Sequence, residues 1–178
     1  MKPPVHFPIE ATPPFFFRVG VLACLFPFWS AVASEPVKPS AGGFRVPEGW
    51  TVEKVAEETL IKYPQFACLD DRGRLYVAEG TGRNLPGTDI EPLKLAKISV
   101  LEDIDGDGKF DTRKVFADGL VFASGVLWHD GSVYAASHPA IWKLTDTDGD
   151  DVADKREELV GRFGFTGNGC DIHGPFFM

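Results

Sequence analysis

An internal repeat with two offsets constrains the fold of this chain more than any other feature of its sequence. The stretch DIDGDGKFD, residues 103–111, returns 43 residues later as DTDGDDVAD, residues 146–154. Upstream, DDRGRLY and HDGSVY belong to hairpin-like stretches that match at an offset of 58 residues. The 15-residue difference equals the segment GTGRNLPGTDIEPLK, residues 80–94. One copy of the repeat therefore carries an inserted loop that the other copy lacks.

The apolar residues after Glu48 come in short alternating or compact runs that Gly, Asp and Pro interrupt. Such runs are typical of strands and hairpins. Strands or hairpins are predicted for WTVEKVAE, FACLDDRGRLYVAE, AKISVLED, RKVFADGLVF, GVLWHDGSVYAAS and AIWKLTDT. A helix competes only in VEKVAEETLIK, residues 52–62, where Gly49 before it and Pro64 after it favour a strand with an irregular exit.

An all-β unit of about 40 to 50 residues has the length of a four-stranded β-propeller blade. We therefore predict an all-β fold, an incomplete β-propeller of about two to three four-stranded blades over residues 44–178. A third unit begins in FTGNGCDIHGPFF, residues 165–177. Because a propeller ring closes with about four to eight blades, we expect the chain to be the N-terminal part of a longer protein. The alternative is a truncated gene product with no function of its own.

The first 33 residues read as a secretion signal, and residues 34–43 as a linker. Arg18 closes a weakly positive leader, an apolar stretch too short to span a bilayer follows, and Ala31-Val32-Ala33 provides the small-residue cleavage pattern. The sequence therefore predicts an exported protein, periplasmic or extracellular, with no membrane segment beyond the signal. The alternative is an N-terminal anchor that stays uncleaved.

The net charge limits the classes of partner that the chain can bind, and the cysteines bear on disulfide formation. The net charge is −8, and removal of the signal makes it −9, which argues against nucleic acid and anionic membranes as partners. Exported acidic proteins commonly meet millimolar calcium. Two cysteines, Cys68 and Cys170, remain after cleavage. They could form a disulfide in an oxidising compartment or stay as free thiols. The sequence contains no CxxCH haem motif, no Rossmann glycine pattern and no P-loop.

The two aspartate-rich stretches match a calcium loop of the D-x-D-x-D-G type, which places oxygen ligands at positions 1, 3, 5, 7, 9 and often 12. The second copy fills all six positions with Asp146, Asp148, Asp150, the Val152 carbonyl, Asp154 and Glu157. The first copy fills five, with Asp103, Asp105, Asp107, the Lys109 carbonyl and Asp111, and has Lys114 at position 12. A divalent ion in such a loop would offset the repulsion between carboxylates and stabilise a long hairpin. The alternative is a pair of solvated acidic turns.

Together, VPEGWTVEKVAEE, KISVLEDIDGDGKFDTRKVFADGL, WKLTDTDGDDVADKREELV and GNGCDIHGPF resemble the N-terminal blades of the glucose/sorbosone dehydrogenase-like propellers. The resemblance is to the large exported bacterial proteins described as membrane-bound dehydrogenases, and it covers nearly all of residues 44–177. It implies a quinoprotein that oxidises a sugar or alcohol with pyrroloquinoline quinone (PQQ), and a c-type haem domain in a longer version of the chain. It also implies that this segment alone is inactive.

His173 in DIHGPF best matches the histidine that takes the proton from the sugar hydroxyl in those enzymes, a role that suits an imidazole. The alternative is a histidine that caps a turn or fills space between blades. His129 and His138 are predicted to be structural, in a turn and at a strand exit. In the inserted loop, Arg83, Asn84 and Lys94 are candidates to bind a carboxylate-bearing ligand or cofactor. The alternative is that they are solvated loop residues. A non-catalytic, calcium-bound propeller that binds a glycan or a protein is the competing function.

Overall fold

The computed structural model describes residues 43–166 and 171–176 and contains two antiparallel four-stranded sheets. The strand order is β1-β2-β3-β4 in the first sheet and β5-β6-β7-β8 in the second. The strands are β1 (Pro64–Leu69), β2 (Leu75–Glu79), β3 (Ala96–Glu102), β4 (Thr112–Leu120), β5 (Ala123–His129), β6 (Ser132–Ser137), β7 (Ala140–Thr145) and β8 (Lys155–Val160). Each sheet is a sequential meander, as in a propeller blade, so we name them blade 1 and blade 2.

The core lies where the two blades face each other. Strand β5 of blade 2 contacts β1 and β2 of blade 1. One cluster of buried apolar residues runs through both sheets, and it includes Ile98 and Val100 from blade 1 and Val126, Val133 and Leu144 from blade 2. Burial of this shared apolar surface is the main force that holds one blade on the other.

The prediction of two four-stranded blades, made from the two offsets of the repeat, is confirmed: both sheets have the same strand order. The offset of 43 residues carries β3 and β4 onto β7 and β8, and the offset of 58 carries β1 and β2 onto β5 and β6. The inserted segment, residues 80–94, lies between β2 and β3, where blade 2 has only His138 and Pro139. It contains a helix that the sequence did not predict, α1 (Gly87–Leu93), anchored by the buried side chain of Ile90.

The strand predicted for WTVEKVAE is wrong. Residues 51–57 form no strand, and the segment is tied to the β3–β4 connection by the Phe110 N–H, which donates to the Val55 carbonyl at 2.8 Å. A strand needs a neighbour, and none lies beside this segment in the part of the chain that the structure describes. Strand β8 is the opposite case, a strand that the sequence did not predict. Its sequence KREELV lacks an apolar alternation, and the segment is extended because it pairs with β7.

The stretch predicted to begin a third unit forms no strand over the described residues 161–166 and 171–176. It packs on the start of β5 instead, where the Ser124 hydroxyl donates to the Ile172 carbonyl. Gly125 is required there, because the Gly174 carbonyl occupies the space that a Cβ would need. The predicted signal peptide, nearly all of the linker and Cys170 lie outside the described residues.

Candidate functional site

The meander order sorts the connections of both blades into two ends. One end, which we name the Asp-loop end, carries the β1–β2, β3–β4, β5–β6 and β7–β8 connections. The other, the insert end, carries the β2–β3, β4–β5 and β6–β7 connections. Both aspartate-rich stretches therefore lie at the Asp-loop end, and the inserted segment with Arg83, Asn84 and α1 lies at the opposite end.

The first aspartate loop, residues 103–111, is closed by its own carboxylates. The Asp103 carboxylate accepts hydrogen bonds from the backbone N–H groups of Gly106, at 2.7 Å, and Gly108, at 2.9 Å. Asp111 closes the loop from the far side by accepting the Ile104 N–H at 2.8 Å. Both glycines have positive φ, a conformation that favours glycine and lets the loop turn beneath Asp103.

The second loop, residues 146–154, repeats this arrangement. The Asp146 carboxylate accepts the N–H groups of Gly149, at 2.7 Å, and Asp151, at 2.8 Å. Burial works to raise the pKa of Asp146, but its backbone hydrogen bonds outweigh burial and lower the pKa below the usual value. The pKa of Asp154 is also lowered, because the backbone N–H and then the hydroxyl of Thr147 donate to its carboxylate.

Each loop brings three carboxylates together. Ligand oxygens of Asp103, Asp105 and Asp111 lie within 4.8 Å of one another, and so do those of Asp146, Asp148 and Asp154. These are positions 1, 3 and 9 of the predicted calcium loop. Carboxylate oxygens are the donors that a hard divalent cation such as calcium prefers, so the residues present fit this ion.

The remaining predicted ligands lie outside these two triads. Asp107 and Asp150 accept the N–H groups of Lys109, at 2.8 Å, and Val152, at 2.9 Å. Glu157, at position 12 of the second loop, lies on β8, and its carboxylate pairs with the Lys155 ammonium at 2.9 Å. The structure thus gathers positions 1, 3 and 9 of each loop and leaves position 5 of both loops and Glu157 outside the clusters.

The second loop also joins the two blades. The Ala153 N–H donates to the Phe116 carbonyl of β4 at 2.8 Å, and the Lys114 ammonium donates to the Asp150 carbonyl. Asp151 forms an ion pair with Arg74 of blade 1. Asp151 stands where the first loop has Gly108, and the sequence alone gives no sign of its ion pair with Arg74.

Arg74 is the centre of a buried polar cluster in the β1–β2 connection. Its Nε donates to Asp70 Oδ2 at 2.7 Å, and its Nη2 donates to the Tyr76 hydroxyl at 2.9 Å. Burial raises the pKa of Tyr76 to about 12, against the smaller opposing effect of the guanidinium. The cluster fixes the hairpin of blade 1 against the second aspartate loop.

The insert end carries the predicted catalytic and binding residues, and among the described residues His173 does not line the cavity beside Arg83. His173 is exposed, and its ring centroid lies 6.1 Å from that of Phe66 on β1. Arg83 and Asn84 are also exposed, and Arg83 borders a cavity of about 20 Å³ that is walled by the insert and residues 121–123. His173 is not among the lining residues of this cavity, which has room for about one water molecule and does not fit a tricyclic quinone.

Comparison with known proteins identifies the family. The family model described as "Domain of unknown function (DUF7133)" matches residues 36–173. The chain belongs to the DUF7133 family. No curated protein matches this DUF7133 chain.

One solved structure resembles the DUF7133 chain, the holo form of the pyranose dehydrogenase PQQ domain from Coprinopsis cinerea, at 21% identity and a TM-score of 0.43. The match covers 59% of this chain and 23% of the other, so the chain spans about a quarter of the solved structure. Within the described residues, no helix is long and apolar enough to cross a membrane.

The DUF7133 chain contains one further polar cluster that the sequence did not reveal. In blade 1, the carboxylate of Glu79 is buried and accepts hydrogen bonds from the Ser99 hydroxyl and from Arg113 Nη2, the latter at 2.9 Å. These residues come from three neighbouring strands, β2, β3 and β4. Only the register of the sheet brings them together, so spacing along the chain gives no signal for them.

Proposed function

We propose that this chain forms calcium-stabilised blades of an exported β-propeller in which metal binding supports the fold at the Asp-loop end and ligand chemistry takes place at the insert end. The observation that carries the proposal is the pair of matching carboxylate triads in two loops of the same length and hydrogen-bond pattern. Carboxylates held this close repel one another, and an ion coordinated by them would offset that repulsion in both loops.

Calcium fits better than a transition metal. All the predicted ligands are oxygens, and no His or Cys belongs to either triad in the described part of the chain. Bound calcium would offset the repulsion between the carboxylates of the second loop and hold the loop in the shape that contacts β4 and Arg74. Its expected role is to hold blade 2 on blade 1, and an exported protein would meet the calcium concentration that such a site needs.

The proposal extends to the chemistry of the opposite end, where the chain resembles sugar and alcohol quinoprotein dehydrogenases. PQQ, when bound, would accept the two electrons of a sugar or alcohol oxidation. His173 would take the proton of the substrate hydroxyl, and Arg83 and Asn84 would bind a carboxylate of the cofactor. Because the cavity beside Arg83 is too small for a quinone, cofactor binding would need further walls from a longer, ring-closing version of the chain. A c-type haem domain in that longer chain could take up the electrons that the substrate gives to the cofactor.

The second candidate is a propeller module without catalysis that binds a glycan or a protein through the insert. It is favoured by the exposure of Arg83 and Asn84. It is also favoured by the small size of the cavity beside Arg83, which leaves no room for a dehydrogenase cofactor. Long loops on a rigid scaffold commonly carry binding groups of this kind.

Calcium titration of the whole chain by calorimetry tests the first part of the proposal. We expect two sites of micromolar to millimolar affinity, a range that loops of this type span. Asp148→Asn should remove one site, because Asp148 is a member of the triad and accepts only one weak backbone bond, at 3.2 Å. Asp71→Asn is the matched control, an exposed aspartate outside both loops. Folded protein that binds no calcium would refute the metal proposal.

Dye reduction tests the second part. A longer version of the chain, supplied with PQQ, calcium and an aldose or alcohol, is expected to reduce an artificial acceptor, and His173→Gln should abolish turnover. His129→Gln is the control, because His129 lies at the Asp-loop end next to Tyr134. Ligand binding without dye reduction would favour the binding module, and unchanged turnover in His173→Gln would exclude His173 as the base.

A further inference from the structure

A groove of about 380 Å³ separates the insert of blade 1 from the β6–β7 turn of blade 2. Its walls include Glu91 and Lys94 at the end of α1, Leu120 at the end of β4, and His138, Trp142 and Leu144 from blade 2. The groove is therefore built by the same 15-residue insertion that distinguishes the blades. Its volume lies within the range of about 300 to 1,000 Å³ that small-molecule sites occupy.

His138 in this groove has an unused polar atom. Its side chain is only 10% exposed, its ring stacks on Phe165 with centroids 4.5 Å apart, and its Nε2 lies 3.6 Å from Glu91 Oε1. Its Nδ1 is the one buried side-chain nitrogen or oxygen without a hydrogen-bond partner in residues 43–166 and 171–176. Buried polar atoms are normally paired, so the unpaired Nδ1 indicates a partner beyond the described residues.

The remaining lining is apolar beneath and cationic at the rim. Leu120 and Leu144 are buried, and Trp142 offers its ring face, because its Nε1 already donates to the Ser137 carbonyl at 2.8 Å. Lys94 is exposed and has no ion-pair partner among the described residues. Arg156 adds a second cation, which binds Asp118.

We propose that this groove binds a small monocarboxylate with an apolar, ring-sized body. The apolar body would lie on Trp142 beside Leu120, and the carboxylate would accept hydrogen bonds from Lys94 Nζ and from an N–H at His138 Nδ1. Glu91 Oε1, 3.6 Å from Nε2, faces the other ring nitrogen, so Nδ1 is the one left to meet the ligand. A cationic ligand would meet repulsion from Lys94 and Arg156, and a fully polar ligand would leave the apolar floor without a partner.

The first test uses benzoate as the probe and benzyl alcohol as its uncharged counterpart. Calorimetry on the whole chain, together with the indole N–H resonance of Trp142 in ¹H–¹⁵N NMR spectra, should show that benzoate binds and shifts this resonance. Benzyl alcohol should bind at least about tenfold more weakly, because it lacks the charge-assisted hydrogen bonds. Equal binding of the two probes, or no binding of benzoate at millimolar concentration, would overturn the proposal.

Two variants locate the site. Lys94→Gln should weaken benzoate binding about tenfold, whereas Lys62→Gln, which removes an exposed charge elsewhere, should leave the binding constant unchanged. His138→Gln should also weaken binding, and the dispersion of its NMR spectrum reports whether the variant is folded. Benzoate that binds the wild type and Lys94→Gln equally tightly would show that Lys94 does not hold the carboxylate, and would refute the site as described.

Discussion

Blade 1 and blade 2 share one strand order but fill their interiors by different means. Blade 1 buries a charged network of Glu79, Ser99 and Arg113. At the positions that match Glu79 and Ser99, blade 2 has Ser137 and Trp142, and the indole N–H donates to the Ser137 carbonyl. The same meander thus tolerates a buried ion pair in one copy and a large aromatic ring in the other, provided that each polar atom finds a partner.

The largest expected effect tests whether the two blades unfold together. Leu101 and Leu144 match each other in the repeat, and both side chains are fully buried. Leu101→Ala and Leu144→Ala should each lower the free energy of unfolding by about 2 to 5 kcal/mol in urea titrations. If only one of the two variants loses stability, or if its urea unfolding curve shows two steps, the blades unfold independently.

The next effect tests the buried network of blade 1. Glu79→Gln keeps the shape of the side chain but removes the charge that Arg113 faces, so we expect a loss of about 2 to 3 kcal/mol. Ser137→Ala is the matched change in blade 2. It removes the hydroxyl that accepts the Val121 N–H at 3.1 Å and should cost about 1 kcal/mol. If the two variants lost the same free energy of unfolding in chemical denaturation, the buried network of blade 1 would contribute no more to stability than the matched hydrogen bond of blade 2.

A smaller effect separates the two aspartate loops. Asp151→Gly gives the second loop the glycine of the first and removes the ion pair with Arg74. Because Asp151 is partly exposed and glycine suits its positive φ, the net loss should be at most about 1 kcal/mol, and calcium affinity should stay within about twofold. A large fall in calcium affinity, measured by calorimetry, would show that Asp151 belongs to the metal site.

The smallest effect is the acid response of the second loop without calcium. The folded pKa values of Asp146 and Asp154 are lowered, so both groups stabilise the fold above the unfolded carboxyl pKa of about 3.9. This contribution should be lost as the pH falls from there through the folded pKa values. Urea titrations across this window should show a shallower pH dependence for Asp154→Asn than for wild type. A slope that Asp154→Asn leaves unchanged would contradict the assignment.

The features that the sequence predicted are those that depend on spacing along the chain. The two blades, the place of the insertion and both Asp loops follow from a repeat that can be counted, and Asp-Gly and Asp-rich turns form through local hydrogen bonds. Strand β8 was missed because its residues are mostly polar, and it is held by pairing with β7 rather than by its own composition. The strand predicted for residues 51–57 does not form for the reverse reason. The segment has the alternating composition of a strand, but it pairs with no strand among the described residues.

The site chemistry was predicted only in part. Asp105 and Asp111 could be placed beside Asp103 because the loop itself brings them together. The contacts of Arg74 with Asp151 and of His138 with Glu91 join different blades, and their sequence separation hides them. His138 was interpreted as a structural residue at a strand exit, although its burial beside a helix in the insert makes it a candidate for ligand binding.

The division of the connections between two ends has a consequence for how such blades can diversify. At the Asp-loop end, both aspartate loops span nine residues and share one pattern of backbone hydrogen bonds to their own carboxylates. At the insert end, the equivalent connection is 16 residues long in one blade and two in the other, and the strand register is preserved. The insert end thus accepts added residues, and with them a new surface, while the pairing of the strands beneath is kept.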